Sequence, residues 1–395
     1  MDDYLTDYDD IDSHSIFDWA ELIPTLFVYG FSFILGLTGN CLIIFTTFRY
    51  RRMQSVTNMF LSSLASSDLL LIIFCIPVKV AKLFSYTWTM GVVLCKSVHY
   101  MQNVSAICSV LTLTAISIER YYAIVHPMKA KYVCTRSQAK RIIFFIWLVS
   151  ILFAFPTILV QIQMPVGKNS EYRWCVRDWG NKVLWRFHEL YMMILILLFP
   201  FFIMTYSYAR ICCEVWKLME RRCDMVRERI IESKKPPEQL EESSVDPDHV
   251  VKSKISRVKN FRDDTIMVKQ VIYMLVTVVT LFAICWSPLL VDNILNAYDI
   301  LCPERTGALK YMSSAFHLMA YFNSCVNPII YGFMSKSFRE SFMLALCCTS
   351  DAHVRMRRGG SNYSIKYISR NGSQTRTTDL KRQESSLLVN ATKNT

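Results

Sequence analysis

Lysine and arginine are absent from the first 23 residues of this 395-residue chain, although eight aspartate and glutamate residues lie there. A cleavable signal peptide begins with a basic segment, so we expect none here and treat 1–23 as an acidic tail that stays outside the cell. Its charge favours a basic binding partner through long-range attraction. Tyr4 and Tyr8 stand beside acids and are candidates for sulfation, but a disordered, solvated tail fits equally well.

Patterns that mark several function classes are also missing. No nucleophile–base pair or metal-ligand spacing stands out, which disfavours an enzyme. A transporter typically shows inverted repeats and charged residues along its pathway, yet the chain has no internal repeat. A channel needs a ring of residues around a pore, which this single chain does not supply. The net charge of +12 is concentrated between particular apolar blocks, a pattern that indicates membrane topology rather than nucleic-acid binding.

The sequence does have long apolar blocks, and hydrophobic residues make up 52% of it, as in membrane proteins. Each block approaches or exceeds the roughly 20 residues that a crossing helix needs. The seven blocks are 24–48, 59–83, 92–125, 140–162, 184–216, 265–297 and 308–332. Basic residues follow the first, third and fifth blocks, so the positive-inside rule makes the N-terminus extracellular. We therefore predict an all-α, multi-pass plasma-membrane protein with a seven-transmembrane helix bundle at 24–333.

The third block carries polar groups at both ends. Gln102 and Asn103 lie near what we name the outer end of the bundle, and Glu119-Arg120 lie near its inner end. Polar groups at membrane depth are costly and usually mark function. Gln102 and Arg120 are 18 residues apart, five full turns, so they share a face, with Ser109 close to the same line. We predict that this helix carries a signal between the two ends; a buried bundle helix with a polar cap is the alternative.

Asp68 stands alone among the apolar residues of the second block and needs a partner there. Ser109, Asn323 and Ser324 supply oxygen atoms from other helices. Together with Asp68 they can hold a small hard cation such as sodium, or the carboxyl group can share a proton with these neighbours. A neutral, hydrogen-bonded aspartic acid is the alternative, and no other cofactor is expected.

Prolines interrupt each of the last three blocks: Pro200 in the fifth, Pro288 in the sixth and Pro328 in the seventh. Each removes a backbone hydrogen bond and favours a bend. Polar and aromatic residues lie near these prolines, namely Tyr208, Phe282, Trp286, Asn327 and Tyr331. Bent helices with polar groups at the bends fit a protein that changes shape, although bent and static helices also occur.

Residues 334–348 carry Phe338, Phe342 and Leu346 at helical spacing, which predicts a short amphipathic helix on the membrane surface. Cys347 and Cys348 at its end are either palmitoylated or free thiols. The remaining 349–395 are rich in Ser, Thr, Arg and Asn, and we predict a disordered cytoplasmic tail. Phosphorylation there adds negative charge that recruits a basic partner.

Eight motifs stand in order along the seven blocks. They are Gly39-Asn40, LASSDLL at 64–70, Cys95, Glu119-Arg120-Tyr121, Trp147, Pro200 with Tyr208, CWSP at 285–288 and NPIIY at 327–331. Together they resemble the rhodopsin-like (class A) G protein-coupled receptors over residues 24–348. The resemblance implies a disulfide between Cys95 and Cys175. It also implies coupling to a heterotrimeric G protein through Glu119, Arg120 and Tyr121, and activation switches at Phe282, Trp286, Pro288, Asn327, Tyr331 and Tyr208.

Two positions depart from the family pattern. Glu119 stands where many members have aspartate, which keeps the carboxylate. Val268 stands where some members place an acid that pairs with Arg120, so we expect that contact to be missing. Cys302 has no obvious partner.

The same resemblance addresses the ligand. Amine receptors place an aspartate where this chain has Gln102, and opsins place a lysine where it has Tyr321. The neutral set of Gln102, Asn293, His317 and Tyr321 resembles peptide receptors of the orexin, neuropeptide Y and cholecystokinin groups, several of which bind amidated peptides. Glutamine and asparagine match an amide's paired donor and acceptor, whereas His317 can instead be a packing residue. A receptor for a non-peptide ligand is the alternative, with a transporter much less favoured.

Two charged residues of the outer half complete the candidate ligand site. Lys79 and Glu189 either pair with each other or bind the ligand. Lys79 can instead extend to the lipid headgroups, as long basic side chains near helix ends often do.

Overall fold

The computed structural model of the chain describes residues 19–85, 87–166, 172–232, 247–301 and 308–347. Its side chains are described in these ranges except at 222–223, 225–232, 247–268 and 347. Several predicted features therefore lie outside the described residues. They are the acidic tail before residue 19 with Tyr4 and Tyr8, Cys302, Cys348, the side chains of Val268 and Cys347, and the tail at 349–395.

Among the described residues, seven long helices form the bundle, as predicted. The first is Trp19–Arg49, the third Gly91–Val125, the sixth Pro247–Ala297 and the seventh Ala308–Met334. The second runs through Val56–Leu70, Leu71–Cys75 and Ile76–Leu83, and the fourth through Arg136–Ala154 and Pro156–Val160. The fifth runs through Lys182–Met193, Ile194–Leu198 and Phe199–Glu232. Shorter helices are Arg51–Met53, Pro127–Val133 and Lys336–Cys347.

Six of these helices are long and apolar enough to cross a membrane by length and composition. They are Trp19–Arg49, Val56–Leu83, Gly91–Val125, Arg136–Val160, Lys182–Arg221 and Lys269–Ala297. The seventh helix, Ala308–Met334, has 27 residues and packs along both the first and the sixth. Its buried residues include Asn323, Ser324 and Asn327. These contacts and the inward-facing polar groups place the seventh helix in the bundle.

Two of the bundle helices contain a wider, π-helical turn that the sequence did not lead us to expect. Leu71–Cys75 precedes Pro77 in the second helix, and Ile194–Leu198 precedes Pro200 in the fifth. A proline ring clashes with the carbonyl four residues earlier, and one extra residue in the turn relieves that clash. The sixth helix, by contrast, remains α-helical through Pro288.

The third helix is the most buried of these six crossing helices. The first and seventh helices approach each other closely at another point. A Cβ atom on Gly39 would lie 2.6 Å from Cβ of Pro328, so only glycine fits there. Next to it, Asn40 donates its Nδ2 hydrogen to the carbonyl oxygen of Ser324 at 2.9 Å. The Gly39-Asn40 motif therefore joins the first helix to the seventh at its proline.

A β-hairpin between the fourth and fifth helices was not predicted. Strands Gln161–Val166 and Tyr172–Arg177 pair in antiparallel fashion, and Gln163 faces Cys175. Cys175 forms a disulfide with Cys95 at the outer end of the third helix, which confirms the expected bridge. The first strand also packs against the third helix. The hairpin is therefore attached to the bundle both covalently and by packing.

Candidate functional site

Two adjoining cavities open into the outer half of the bundle. The first, of about 370 Å³, lies between the first, second and seventh helices. The second, of about 230 Å³, lies beneath the hairpin and between the third, fifth, sixth and seventh helices. Both are lined by Lys79, Lys82 and His317. Ligand pockets of a few hundred cubic ångströms are typical, so this is the candidate ligand site.

Most of the residues predicted to bind the ligand meet at the second cavity. Gln102, Asn293 and His317 line it, together with Lys79 and Glu189. Asn293 makes no side-chain hydrogen bond to the described residues. The Nδ1 atom of His317 donates to the carbonyl oxygen of Ser313 at 3.0 Å, because a carbonyl can only accept. This bond leaves Nε2 as the acceptor of a neutral ring.

Tyr321 lies under this cavity rather than in its wall. Its hydroxyl donates to Oε1 of Gln102 at 2.8 Å, and both side chains are buried. Tyr321 also packs edge-on against Tyr29 of the first helix, with ring centroids 5.5 Å apart. The contact holds the Gln102 amide so that its Nε2 hydrogens remain for another partner. Tyr321 is therefore a positioning residue for Gln102.

Lys79 and Glu189 do not pair with each other. Glu189, which is buried, lies 3.0 Å from Nε of Arg177 and accepts from Nδ1 of His188 at 3.1 Å. Arg177 also donates from Nη1 to Oε1 of Gln161 at 2.8 Å. Glu189 pairs with Arg177 rather than Lys79 because the second strand of the hairpin ends at Arg177 and places this guanidinium beside the acid.

A chain of hydrogen bonds continues from Glu189 to the third helix. Thr157 on the fourth helix lies 3.2 Å from Nε2 of His188 and accepts from Nδ2 of Asn103 at 2.8 Å. Asn103 therefore faces the fourth helix, whereas its neighbour Gln102 faces the cavity. Sequence reasoning missed Arg177, Gln161, Thr157 and His188. Their polarity near helix ends was visible, but their partners depend on the path of the hairpin.

Asp68 lies in the centre of the bundle. It accepts a hydrogen bond from Nδ2 of Asn327 at 2.8 Å and another from the Ser324 side chain. Ser109 lies 2.9 Å from Ser67, the neighbour of Asp68. Asn323 is buried on the seventh helix, beside these groups in sequence. The donor set is therefore one carboxylate surrounded by hydroxyl and amide groups.

The predicted switch residues are buried between the cavity and the inner end. Phe282 and Trp286 stack with ring centroids 5.9 Å apart, on the helix turn below Pro288. Tyr208 and Tyr331 are buried, and neither hydroxyl has a hydrogen-bond partner among the described residues. Tyr331 stacks on Phe338 of the last helix at 5.6 Å.

At the inner end, Arg120 donates hydrogen bonds to both carboxylate oxygens of its neighbour Glu119 and to the hydroxyl of Thr57 on the second helix. Glu119 also accepts from that hydroxyl at 3.1 Å. Tyr121 lies 3.3 Å from Nε2 of His126. The Glu119 carboxylate thus keeps the role expected of an aspartate at this position.

The family model described as 7 transmembrane receptor (rhodopsin family) matches residues 39–331, which is most of the chain. The chain belongs to this receptor family. The rhodopsin-family receptor is therefore a multi-pass membrane protein, and its family is one of receptors rather than enzymes. The resemblance drawn from the eight sequence motifs is confirmed.

Curated relatives of this rhodopsin-family receptor are named for peptides. The rat (Rattus norvegicus) pyroglutamylated RF-amide peptide receptor is 32% identical over 80% of this chain and 68% of its own length. The QRFP-like peptide receptor of Branchiostoma floridae is 30% identical, over 82% and 77%. The cholecystokinin receptor type A of Cavia porcellus is also 30% identical, over 84% and 82%.

Proposed function

We propose that this receptor binds a peptide in its outer cavities and in response activates a heterotrimeric G protein. The observation that carries the proposal is the wall of the second cavity, where Gln102, Asn293 and His317 offer neutral hydrogen-bonding groups. The relatives named for RF-amide and cholecystokinin peptides support the same ligand class. The receptor acts at the plasma membrane with its N-terminus outside the cell, as the basic inner loops indicate.

The end of the peptide is an amide that pairs with Gln102 and Asn293. Oε1 of Gln102 already accepts from Tyr321, so its Nε2 hydrogens are the part that meets the ligand's carbonyl oxygen. Asn293 has both a donor and an acceptor available for the ligand's amide group. Buried polar groups need such partners, because an unpaired one costs free energy.

The direct test is peptide-stimulated nucleotide exchange on purified G protein. The probes are the pyroglutamylated RF-amide peptide and a cholecystokinin peptide, each as the amide and as the free acid. Gln102→Ala and Asn293→Ala should each lower the potency of the more potent amidated peptide about tenfold. One lost hydrogen bond with a buried partner costs roughly 1–2 kcal/mol. Flux of solutes into receptor vesicles is the comparison that tests the transporter alternative.

Asn103→Ala is the matched control, because this neighbouring amide faces Thr157 and not the cavity. It should affect amide and free-acid peptides equally. If Gln102→Ala also lowers the potency of both forms equally, these residues shape the cavity without contacting the amide. If neither peptide nor any other amidated neuropeptide stimulates exchange, a peptide ligand is refuted.

Coupling to the G protein runs through Glu119, Arg120 and Tyr121 at the inner end. The ligand signal reaches them through Trp286 and Phe282 at the turn below Pro288, and through Asn327, Tyr208 and Tyr331. This order is supported by the placement of the stacked Phe282–Trp286 pair between the cavity and the inner end. Trp286→Ala should lower the peptide-stimulated exchange rate more than the affinity for the peptide.

Asp68 holds a sodium ion with the oxygen atoms of Ser109 and Asn323. The carboxylate and its neighbouring hydroxyl and amide groups are the hard ligands that such a cation prefers. The ion adds a positive charge that balances the buried carboxylate. Sodium chloride, compared with potassium chloride at equal ionic strength, should raise the melting temperature of the wild type but not of Asp68→Asn. An equal rise in the melting temperature of both proteins would show that sodium does not bind at Asp68.

The helix after the seventh lies on the lipid surface, where Cys347 and Cys348 are acylated. Phosphorylated Ser and Thr of the tail then recruit arrestin through added charge. Removal of the residues after 350 should abolish arrestin recruitment while peptide-stimulated nucleotide exchange persists. Labelling with a palmitate analogue should be lost in Cys347→Ser/Cys348→Ser, and persistent labelling would place the lipid elsewhere.

A further inference from the structure

Two lysines of the second helix face the cavities without an acidic partner. Lys79 and Lys82 are three residues apart, so they are neighbours on one helix face. Both line the first and the second cavity. In the part of the chain that the structure describes, no carboxylate lies within ion-pair distance of either. Lys79 is half-buried and Lys82 is exposed. Since Lys79 lines both cavities, extension to the lipid headgroups does not account for its placement.

Among the described residues, the acids that line the cavities already have other partners. Glu189 lies against Arg177 and His188. Glu21, at the first cavity, lies 2.7 Å from Nζ of Lys310 and accepts from the Ser314 hydroxyl at 2.6 Å. The carboxylates of Glu21 and Glu189, one at each cavity, are therefore already paired with basic residues.

The remaining charge beside the two lysines is positive or neutral. Arg177, His99 and His317 complete this side of the second cavity. Asp292 accepts from the Ser313 hydroxyl at 3.2 Å and lines neither cavity. A charged group in a half-buried site is costly unless an opposite charge compensates it. The cavities therefore combine an amide-binding wall with a strongly positive one.

We propose that Lys79 and Lys82 bind a carboxylate of the peptide, an aspartate or glutamate side chain. The inference rests on the proposed peptide receptor and adds a charge requirement to its ligand. The ligand then carries two different polar groups. Its neutral amide end lies at Gln102 and Asn293, and an acidic residue lies on the side of the second helix. The acidic tail before residue 24 is compatible with further basic residues in the part of the peptide that stays outside.

The test uses two blocked dipeptide amides that differ in charge alone, N-acetyl-glutamyl-leucine amide and N-acetyl-glutaminyl-leucine amide. Binding is measured as the concentration-dependent rise in melting temperature of the purified full-length receptor at constant ionic strength. The wild type should bind the glutamyl probe at least about tenfold more tightly, because hydrogen bonds to charged groups are the stronger kind. Equal binding of both probes, or no shift with either, overturns the proposal.

Substitutions then assign the preference to the two lysines. Lys79→Gln/Lys82→Gln should remove the tenfold preference and leave binding of the glutaminyl probe within about twofold. Lys310→Gln is the matched control, because it removes a lysine of the first cavity that already pairs with Glu21; it should keep the preference. A preference that survives the double substitution, or that Lys310→Gln removes to the same extent, refutes the assignment.

Two further measurements ask whether the lysines already have a partner in the protein and whether they prefer a free anion. Without any probe, the double variant should melt at the same temperature as the wild type or higher, since it removes two neighbouring like charges; a clearly lower value would show that the lysines already have a partner. Inorganic phosphate is the second probe. Binding of phosphate as tight as that of the glutamyl dipeptide, with the same dependence on the lysines, overturns the peptide carboxylate in favour of a free anion.

The proposal and the proposed function fail separately. A peptide that stimulates nucleotide exchange equally well with glutamine in place of every acidic residue overturns the carboxylate site and leaves the peptide receptor intact. Charge-selective binding of the dipeptide, with no exchange from any amidated peptide, overturns the peptide receptor instead.

Discussion

The two ends of the bundle hold their charged residues in different ways. At the outer end, ion pairs join segments that are distant in sequence: Arg177 with Glu189, Lys310 with Glu21, and both Lys182 and Arg186 with Asp299. At the inner end, one ion pair also joins distant segments, Arg52 with Glu340, but Arg120 of the third helix pairs with its neighbour Glu119 and with Thr57. Among the described side chains, Arg120 makes no hydrogen bond to the fifth or the sixth helix.

This difference indicates that the outer end is held in a fixed shape and that the inner end is where movement can occur. Bonds between distant segments fix the shape of the outer cavities, whereas Arg120, among the described side chains, makes its hydrogen bonds within the second and third helices. A shape change that starts at the cavity can then appear as a movement at the inner end. The following predictions test this contrast, and the largest expected effect comes first.

Cys175→Ser should abolish peptide binding and most surface expression. The bridge to Cys95 closes a loop of 80 residues, and removing such a bridge costs roughly 4 kcal/mol. Binding of a labelled peptide to intact cells measures the loss. Cys41→Ser removes an exposed free cysteine of the first helix and is the control. Intact binding by Cys175→Ser would show that the outer end does not depend on the bridge.

Arg120→Ala should abolish peptide-stimulated nucleotide exchange while affinity for the peptide stays within about threefold. Arg120 is at the inner end, roughly 27 Å along the helix from Gln102 at about 1.5 Å per residue. Parallel binding and exchange assays on one membrane preparation separate the two effects. Arg141→Ala, an exposed arginine on the fourth helix, should retain exchange. A similar loss in both assays would contradict the division between the ends.

Arg177→Gln should destabilise the receptor by about 3 kcal/mol, because it leaves the buried Glu189 without its ion-pair partner. The double variant Arg177→Gln/Glu189→Gln should recover much of that loss, since no unpaired charge then remains. Melting temperatures of the single and double variants measure both. If the double variant is less stable than Arg177→Gln, the pair does not act as a unit.

Asp299→Asn should have the smallest effect, because Asp299 is exposed and its ion pairs are screened by salt. Asparagine is the suitable replacement since it tolerates the positive φ of 58° at this position. The hydrogen bond from Lys182 is the main cause that lowers the pKa of Asp299 below its ordinary 3.8. A lowered pKa means that the contribution to stability is present at neutral pH and disappears as the pH falls through that lowered value.

The measurement is the difference in melting temperature between wild type and Asp299→Asn at about pH 7 and about pH 3. It should be small at neutral pH, smaller in high salt and close to zero in acid. A difference that grows in acid would reverse the sign of the linkage.

Much of the bundle followed from the sequence because its causes are local. Apolar length determines which segments cross, and spacing along one helix placed Gln102 and Arg120 on one face. The partners of Arg177 and Asn103 did not follow. Arg177 reaches Glu189 only because two strands pair with a particular register. Gln102 and Asn103 are adjacent amides whose directions differ by about 100° on a helix, and which one meets the cavity depends on how the neighbouring helices pack.

The π-helical turns could be predicted only in part from the sequence. Pro200 was visible and a bend was expected, yet a bend and a wider turn both relieve the same clash. Packing around the proline decides between them, as the uninterrupted α-helix through Pro288 shows. Lys79 and Lys82 form a further case, because the lack of an acidic partner among the described residues is visible only from the positions of Glu21 and Glu189 in the structure.

The hairpin has a consequence for the maturation of the ligand. Cys175, Val176 and Arg177 cover the second cavity, and the disulfide and the Arg177–Glu189 pair keep this cover in place. A chain end can enter beneath such a cover, but a continuous internal segment would need a second way out past it. With the amidated peptide that we propose as ligand, we expect this cover to exclude a precursor that still carries residues beyond the amidation point. The receptor would then respond to the completion of peptide processing as well as to the peptide sequence.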